Sequence, residues 1–505
     1  MSAAAPEAGP RRVDVAAVRG AGWLAIDQLG SRVVDLAASV ALARLLFPDD
    51  YGLLAMAATS TAFFRIFANL GLGAAIVQRR EVDDEYLSTA FWANLASGAL
   101  LTALVALSGE LLGALLREPR VGLVILFLSF RFVIAAGSAT QVAMITRRMD
   151  FRALSLRSIA ASVVAGLAGV LLAWHHLGVW ALVGREIART VASTLLLYRA
   201  TGWAPRLRFS WAKFLDLWSF GGPLLLSRLF RYLTGNMDNI LIGRYLGSAA
   251  LGLYAFAYTM FAIPLNDFSA VVHRVLFAAL SRLHADGERF KRGFLLATRY
   301  VTMVQMPVMT GLALVAPVAI QVVFGRRWAP AAPVVTVLAL TTIVGMMTAI
   351  APSGLQAGGR ADLQLRRSFL GVLLYLPAFA LGLRWGILGV AIGSLAAGLV
   401  LLPVDLRYVH ETTGATAREL LDASTPGLAA SLIMTVVVLA GRWLLAGHGL
   451  PGVVVLAVLV GTGALAYGAA LWVFHRDAVR NLAAVLRDAL PHPASRILAT
   501  IASAS

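Results

Sequence analysis

The chain contains 505 residues, of which 59% are hydrophobic and only 14% are charged. Ordinary soluble domains are about 45–50% apolar and about 25% charged, so this composition excludes a soluble globular protein. Lysine and arginine outnumber aspartate and glutamate by 43 to 26. The basic residues are spread over many short segments, which argues against a nucleic-acid partner. The absence of cysteine excludes disulfides, thiolate metal sites and cysteine nucleophiles.

The predicted elements begin with a polar tail, in which Arg11, Arg12 and Arg19 precede the first apolar run. That run has no small-residue cleavage site after a short apolar core, so we predict an uncleaved first membrane span. About 14 apolar stretches follow along the chain, each near the roughly 20 residues that a membrane helix needs. The predicted spans are 20–45, 52–77, 86–112, 121–145, 153–173, 177–198, 217–246, 250–274, 293–324, 331–355, 367–384, 386–406, 425–446 and 451–474.

The side of the membrane that each loop faces follows from the basic residues. Most arginines and lysines outside the predicted spans fall on one side when the N-terminus is placed in the cytoplasm. The positive-inside rule therefore predicts that both termini are cytoplasmic, which requires an even number of spans. The longest connections, 199–216 and 275–292, then lie at the cytoplasmic face, and the second has the pattern of a short amphipathic surface helix.

An internal repeat with a shift of 200 positions relates the two halves of the chain. The pattern Arg-x-Leu…Gly-Leu-x-Ala-x-Ala contains Gly52 in the first copy and Gly252 in the second. Six predicted spans separate the copies, so the halves have parallel topology. We predict an all-α polytopic membrane protein with about 14 transmembrane helices, in two six-helix lobes around a central cavity plus two C-terminal helices. The predicted domains are a cytoplasmic tail (1–19), an N-lobe (20–200), a cytoplasmic linker (201–216), a C-lobe (217–410), a C-terminal helix pair (411–475) and a cytoplasmic tail (476–505).

Charged residues lie inside several predicted spans, where charge is costly and therefore marks a candidate functional site. In the first span, Arg32 and Asp35 share one helical face with Ser39. Two interpretations of these charges are open. They form ion pairs that join helices, such as Arg32–Asp35 and Arg231–Asp238, or the arginines in excess of the acidic residues bind an anionic ligand. The candidates are Arg32, Arg65, Arg131, Arg228 and Arg231 for substrate binding, Asp35 and Asp238 for ion coupling, and Gln28, Tyr232 and Asn239 as further polar cavity residues.

Arginine in this position suits a phosphate ligand, because its planar guanidinium donates paired hydrogen bonds to phosphate oxygens. Arg185 and Arg189 lie one turn apart in the sixth span with Glu186 beside them. We find no catalytic constellation or phosphate-binding loop in the sequence, and no external loop is long enough for a soluble active site. We therefore expect a transporter without catalytic residues, metal or cofactor, apart from the open question of proton or sodium coupling.

Several segments carry a family resemblance. MDNILIGRYLG, LGLYAFAY and VLFAALSRL, within residues 215–282, resemble the Wzx-type polysaccharide exporters of the colanic-acid-exporter-like branch. ARLLFPDDYGLLAMA and NLGLGAAIVQR are similar to the first helix pair of the same family, and the resemblance extends over residues 15–475. The family is part of the multidrug/oligosaccharidyl-lipid/polysaccharide superfamily, whose members have two helical lobes around a central cavity.

The resemblance implies that the chain flips undecaprenyl-diphosphate-linked oligosaccharide units across the bacterial inner membrane by alternating access. Implied partners are this lipid-linked glycan, membrane lipids and the polysaccharide polymerase or export machinery, and we expect a monomer. The related lipid II flippases use cavity arginines on early helices, and Arg32 and Arg65 occupy comparable helices. The alternative is a cation-coupled multidrug exporter, whose cationic substrates would favour a cavity rich in aspartate and glutamate. A glycan ligase or polymerase would need longer external loops.

Overall fold

The structure is a computed structural model that describes residues 10–68, 72–79, 81–215, 224–283 and 286–481. Within these ranges all regular secondary structure is helical and no strand occurs. The helices follow the apolar stretches of the sequence, because a chain segment in lipid must satisfy its backbone hydrogen bonds internally. The predicted all-α class is confirmed.

The chain divides into two compact units, Met1–Gly252 and Leu253–Ser505. The lobe boundaries predicted from the sequence remain predictions. Residues 1–9 of the predicted N-terminal tail and residues 482–505 of the predicted C-terminal tail lie outside the described residues. The helices of the first unit are α1 Pro10–Leu45, α2 Pro48–Ala68, α3 Leu72–Gln78, α4 Asp84–Leu115, α5 Arg120–Ala136, α6 Ala139–Arg147, α7 Phe151–Trp174, α8 Val179–Thr201 and α9 Leu224–Leu246.

Helix α10, Ser248–Leu283, begins in the first unit and continues into the second. The short breaks between the later helices are π-helical at Ile320–Phe324 and 3-10-helical at Arg326–Ala331, Met346–Thr348 and Leu383–Trp385. The remaining helices are α11 Gly287–Ala319, α12 Ala332–Gly345, α13 Ala351–Ala357, α14 Ala361–Gly382, α15 Gly386–Thr413, α16 Ala417–Leu445 and α17 Gly452–Phe474.

The described residues contain seven helical segments that are long and apolar enough to cross a membrane, or eight if the bent pair α5–α6 is one span. The chain is therefore a multi-pass membrane protein, whereas the count of about 14 spans stays a prediction. The structure divides some predicted spans. The span predicted at 121–145 is α5 followed by α6 with a bend of 40°, and the span predicted at 52–77 comprises α2 and α3.

The amphipathic surface helix predicted within 275–292 is wrong as a separate element. Helix α10 continues through this segment to Leu283, because no glycine or proline interrupts the helical sequence between Pro264 and Gly287. The next helix, α11, begins at Gly287. Asp286 caps it, because its carboxylate accepts a hydrogen bond from the Arg289 backbone nitrogen at 3.1 Å. A hydropathy pattern located the amphipathic residues but not the end of the helix.

Two repeat-related glycines allow a close backbone crossing within the first unit. A Cβ atom added at Gly52 would lie 1.7 Å from the carbonyl oxygen of Ser248, and one added at Gly252 would lie 1.8 Å from that of Pro48. These four positions are related in pairs by the 200-residue shift, so the contact is reciprocal. Both distances are far below van der Waals contact, so the start of α2 and the start of α10 approach this closely only because both glycines lack a side chain.

We predict that Gly52→Ala strongly lowers the amount of folded protein, because the added methyl group would force α2 and α10 apart. The matched control is Gly468→Ala, where the added Cβ meets nothing within 4 Å. The measurement is the monodisperse peak of detergent-solubilised, fluorescently tagged protein at equal expression. Equal peaks for the two variants would contradict the close crossing.

The connection after α8 is fixed to the start of α4 by polar contacts. The Lys213 ammonium lies 2.6 Å from Asp83 Oδ2 and 2.8 Å from Glu85 Oε2, and the Trp203 indole nitrogen donates to Asp84 Oδ1 at 2.8 Å. The hydrogen bond from Lys213 holds the pKa of Asp83 below its usual value. Hydrogen bonds to Asp83 and Glu85 raise the pKa of Lys213. This stretch of chain is therefore anchored rather than free.

We predict that Lys213→Met lowers the thermal unfolding temperature at pH 7, and that this difference disappears in acid. A carboxyl group with a lowered folded-state pKa stabilises the fold above its unfolded pKa and loses this contribution as the pH falls, here below about pH 4. Thermal unfolding of both proteins between about pH 2 and pH 8 measures the effect, because the contribution is lost only as the pH passes below the lowered pKa of Asp83. A difference that stays constant down to about pH 2 would show that Lys213 acts through packing instead.

Candidate functional site

Helix α8 carries the charges around which an interior cluster of the first unit is arranged. Arg185 and Arg189 lie one helical turn apart, whereas Glu186 is rotated by about 100° from Arg185. The two arginines therefore face α1 and α7, and Glu186 faces α5. One short segment thus places opposite charges on two different faces of the same helix.

The carboxylate of Asp35, on α1, is shared by both arginines. Arg185 Nη2 donates to Asp35 Oδ1 at 3.2 Å, and Arg189 Nη1 donates to Oδ2 at 3.2 Å. A further contact joins Arg189 Nη2 to Asp35 Oδ1. Arg189 also donates to Ser162 at 3.0 Å. Asp35 was considered from the sequence as a partner of Arg32, but the structure joins it to α8.

The second face of α8 pairs Glu186 with Arg131. The distance between Arg131 Nη1 and Glu186 Oε2 is 2.8 Å, and the Arg131 Nε atom donates to Thr190 at 3.3 Å. These side chains are 31% and 29% exposed, so the pair is only partly buried. Sequence analysis placed Arg131 and Glu186 on separate spans without linking them.

Arg65, in the last turn of α2, completes this part of the cluster. Its guanidinium interacts electrostatically with Arg131 and Glu186. Among the residues that the structure describes, it makes no hydrogen bond or ion pair, and its side chain is exposed. A guanidinium beside a second arginine, with one shared carboxylate, leaves positive charge that an anion can neutralise.

A neighbouring polar group joins α1 to α7. Ser31 donates to Asp27 at 3.0 Å and lies 3.3 Å from the hydroxyl of Ser158. Arg157 interacts electrostatically with Asp27, and its buried Nε atom has no hydrogen-bond partner within the described part of the chain. Sequence analysis missed Arg157, although its position within an apolar span was the available signal. The predicted residues Gln28 and Arg32 lie on α1 with exposed side chains.

The predicted residues of the seventh span lie on α9, which packs against α2 in the first unit. Tyr232 donates to the carbonyl oxygen of Thr59 at 3.0 Å. Asp238 is buried and accepts a hydrogen bond from the Asn239 backbone nitrogen at 2.8 Å. The side-chain oxygen of Asn239 is buried without a hydrogen-bond partner in the described chain. The side chains of Arg228 and Arg231 lie outside the described residues.

Positive charge exceeds negative charge in this first-unit cluster. Its described arginines are more numerous than its carboxylates, which belong to Asp27, Asp35 and Glu186. No group of three or more potential metal-ligating side chains occurs among the described residues. The cluster is therefore suited to an anion. The arginines are Arg65, Arg131, Arg157, Arg185 and Arg189.

The second unit contains a simpler ion pair between two helices. Arg367 Nε and Nη2 lie 3.1 Å and 3.3 Å from the two oxygens of Asp405, so α14 and α15 are joined by a two-point contact. The predicted span 367–384 begins at Arg367, whereas α14 already begins at Ala361. This pair is balanced in charge, unlike the cluster of the first unit.

Comparison with known proteins identifies the class. A family described as "Polysaccharide biosynthesis protein" matches residues 41–333. The chain is 30% identical over 366 residues to the teichuronic acid biosynthesis protein TuaB of Bacillus subtilis, covering 70% of this chain and 74% of TuaB. The lipopolysaccharide biosynthesis protein WzxC of Escherichia coli is 27% identical, covering 76% of this chain and 78% of WzxC.

A third relative is the succinoglycan biosynthesis transport protein ExoT of Rhizobium meliloti, 29% identical over 64% of this chain and 65% of ExoT. These matches identify a membrane protein of polysaccharide biosynthesis. The chain belongs to the polysaccharide biosynthesis protein family, and the resemblance to Wzx-type exporters found in the sequence is confirmed. ExoT is by its name a transport protein, which agrees with the prediction that the chain is a transporter and not an enzyme.

Solved structures of low sequence identity share the fold. The lipid II flippase MurJ, in an inward closed conformation, aligns with a TM-score of 0.70 at 14% identity, covering 90% of this chain and 99% of MurJ. An inward-facing multidrug resistance MATE transporter aligns with a TM-score of 0.55 at 16% identity, covering 79% of this chain and all of that chain. Both likenesses concern the fold alone.

We predict that Asp35→Asn lowers the abundance of the folded protein in membranes, because it leaves Arg185 and Arg189 without their shared carboxylate. Breaking a buried ion pair costs about 3–5 kcal/mol, and the partial exposure of Asp35 places the expected loss near the lower value. The control is Glu110→Gln, an exposed carboxylate on α4. A stable Asp35→Asn protein whose export no longer depended on the ion gradient would instead assign Asp35 to coupling.

Proposed function

We propose that this protein translocates undecaprenyl-diphosphate-linked oligosaccharide units across the bacterial inner membrane by alternating access, for surface or exopolysaccharide synthesis. Family membership supports this proposal, as do the names of relatives that act in teichuronic acid, succinoglycan and lipopolysaccharide biosynthesis. The fold shared with a lipid II flippase is consistent with it. The glycan that this chain carries is not specified by these relatives, since they act in different pathways.

The observation that carries the proposal is the position of Arg65, on α2, near Arg131 and Glu186. Glu186 pairs with Arg131, and Arg65 lies near both, so one carboxylate faces two guanidinium groups and positive charge remains. A diphosphate supplies paired oxygens that suit guanidinium groups. A cationic drug would meet repulsion at the same place. The cluster therefore favours a lipid-linked diphosphate over the cationic substrates of a multidrug exporter.

We further propose how the remaining predicted features serve this activity. The diphosphate would be bound in turn by the cavity arginines Arg32, Arg65, Arg131, Arg228 and Arg231. During this movement the two lobes would open the cavity first to one side of the membrane and then to the other, with both termini in the cytoplasm. Directional transport needs a second bound species that favours one state over the other. A proton or sodium ion at Asp35 or Asp238 would supply it, and the protein would act as a monomer beside a polysaccharide polymerase.

The test removes Arg131, the ion-pair partner of Glu186, and Arg65, which lies near both. Arg65→Ala and Arg131→Ala should each weaken diphosphate binding by about 10–100-fold, because a charge-assisted hydrogen bond contributes about 1.5–3 kcal/mol. Arg→Lys at either position should restore only part of the activity, because lysine supplies the positive charge but not the paired hydrogen-bond donors of a guanidinium group. The measurements are polysaccharide export in a complemented deletion strain and binding of farnesyl diphosphate to purified protein.

The control is Arg148→Ala, which removes an exposed arginine just after α6. Protein amounts in the membrane must be equal for all variants. Wild-type export by the Arg65→Ala/Arg131→Ala double variant at equal amounts would reject the proposed role of this cluster.

A further inference from the structure

Glu186 and Asp35 both pair with arginines in the same cluster, but their contacts differ. Asp35 receives contacts from two arginines through both of its oxygens. Glu186 has one close contact, to Arg131 at 2.8 Å. Asp35 is therefore tied to its partners, whereas the Glu186 contact can be exchanged by breaking a single ion pair.

Glu186 nevertheless affects more charge than its single contact suggests. Arg65 and Arg189 both interact with it electrostatically, in addition to Arg131. One carboxylate thus reduces the positive potential at three guanidinium groups. Because Arg131 and Glu186 are each only about 30% exposed, water and salt screen this interaction only in part, and removal of Glu186 would raise that potential.

Glu186 and Arg131 are also open to an incoming ligand. About 30% of each side chain is exposed, and Arg65 next to them is exposed as well. A purely structural ion pair between helices gains from exclusion of solvent and ligand. An accessible pair, next to an arginine with no hydrogen-bond or ion-pair partner among the described residues, is instead positioned for exchange with another anion.

We infer that Glu186 is an internal counter-anion. It pairs with the arginines of the site when no substrate is bound, and the phosphate group of the substrate displaces it. The inference rests on the proposed function, and it assigns a regulatory part of the same site. A carboxylate and a phosphate oxygen are interchangeable partners for a guanidinium fork. When the substrate leaves, the Glu186 carboxylate replaces the phosphate as the partner of the arginines, so the free-energy cost of an unpaired guanidinium is reduced.

The exchange has two consequences for transport. In the empty protein, Glu186 weakens the attraction of the site for small cytoplasmic anions, since they must compete with a tethered carboxylate. After translocation, the returning carboxylate assists release of the diphosphate. Glu186 is accordingly a positioning residue, which acts through Arg65 and Arg131 and does not itself bind the substrate.

The variant that separates this role from a structural one is Glu186→Gln. It keeps the shape of the side chain but removes the charge, so the affinity for a diphosphate should rise by about tenfold or more. Export should fall at the same time, because release becomes slower. Loss of a merely structural ion pair would lower stability and export without any gain in affinity.

The experiment measures binding of inorganic pyrophosphate and of farnesyl diphosphate to the full chain in detergent, by calorimetry at two salt concentrations. The proteins are wild type, Glu186→Gln, Glu186→Asp and the control Glu110→Gln. The inference predicts tighter binding for Glu186→Gln with a steeper salt dependence, and wild-type affinity for the control. Tightening for both ligands identifies the diphosphate as the recognised group, and tightening for farnesyl diphosphate alone adds a requirement for the lipid chain.

Each remaining outcome decides a separate point. If Glu186→Gln binds the diphosphate with the same affinity as the wild type, the counter-anion role is overturned and the proposed function stands. Absence of diphosphate binding in every protein, including wild type, rejects the proposed function itself. If Glu186→Gln does not fold, the shorter Glu186→Asp decides, because its retracted carboxylate should raise the affinity severalfold. An Asp variant with wild-type affinity overturns the inference.

Discussion

The need to neutralise arginine inside a membrane protein governs the first unit. A guanidinium remains charged at any physiological pH, so each buried arginine requires a carboxylate, polar groups or a ligand. Helix α8 meets this need on two faces, through Asp35 on one and Glu186 on the other. The same ion pairs join α1 and α5 to α8.

The two carboxylates of the cluster combine stability with exchange. Asp35 binds two arginines through several hydrogen bonds, which favours one arrangement of α1 and α8. Glu186 makes a single accessible ion pair, which costs less to break. A transporter needs both properties, since its helices must keep their register while its binding groups change partners.

Close helix packing gives this arrangement its rigidity. Glycines at the crossing of α2 and α10 permit backbone contact at two repeat-related positions, and similar contacts join α4 to α5. A Cβ atom at Gly98 would lie 2.9 Å from the carbonyl oxygen of Phe132. Phe132 directly follows Arg131 on α5. Small residues thus fix the helix that presents Arg131, without any apolar driving force between helices in lipid.

The sequence by itself determined the membrane class, the helical fold, the family and the presence of an arginine surplus. These properties depend on local hydropathy, on short motifs and on composition, all of which can be read along the chain. Periodicity also placed Arg32 and Asp35 on one face of α1. What it could not determine was which helix would lie opposite that face.

Only the tertiary structure decided the partners. It joined Asp35 to Arg185 and Arg189, Glu186 to Arg131, and Arg367 to Asp405, and it continued α10 through a segment predicted to be a surface helix. Each pair links residues far apart along the chain. Helical periodicity specifies the direction of a side chain but not its neighbour, because the neighbour depends on how all the helices pack together.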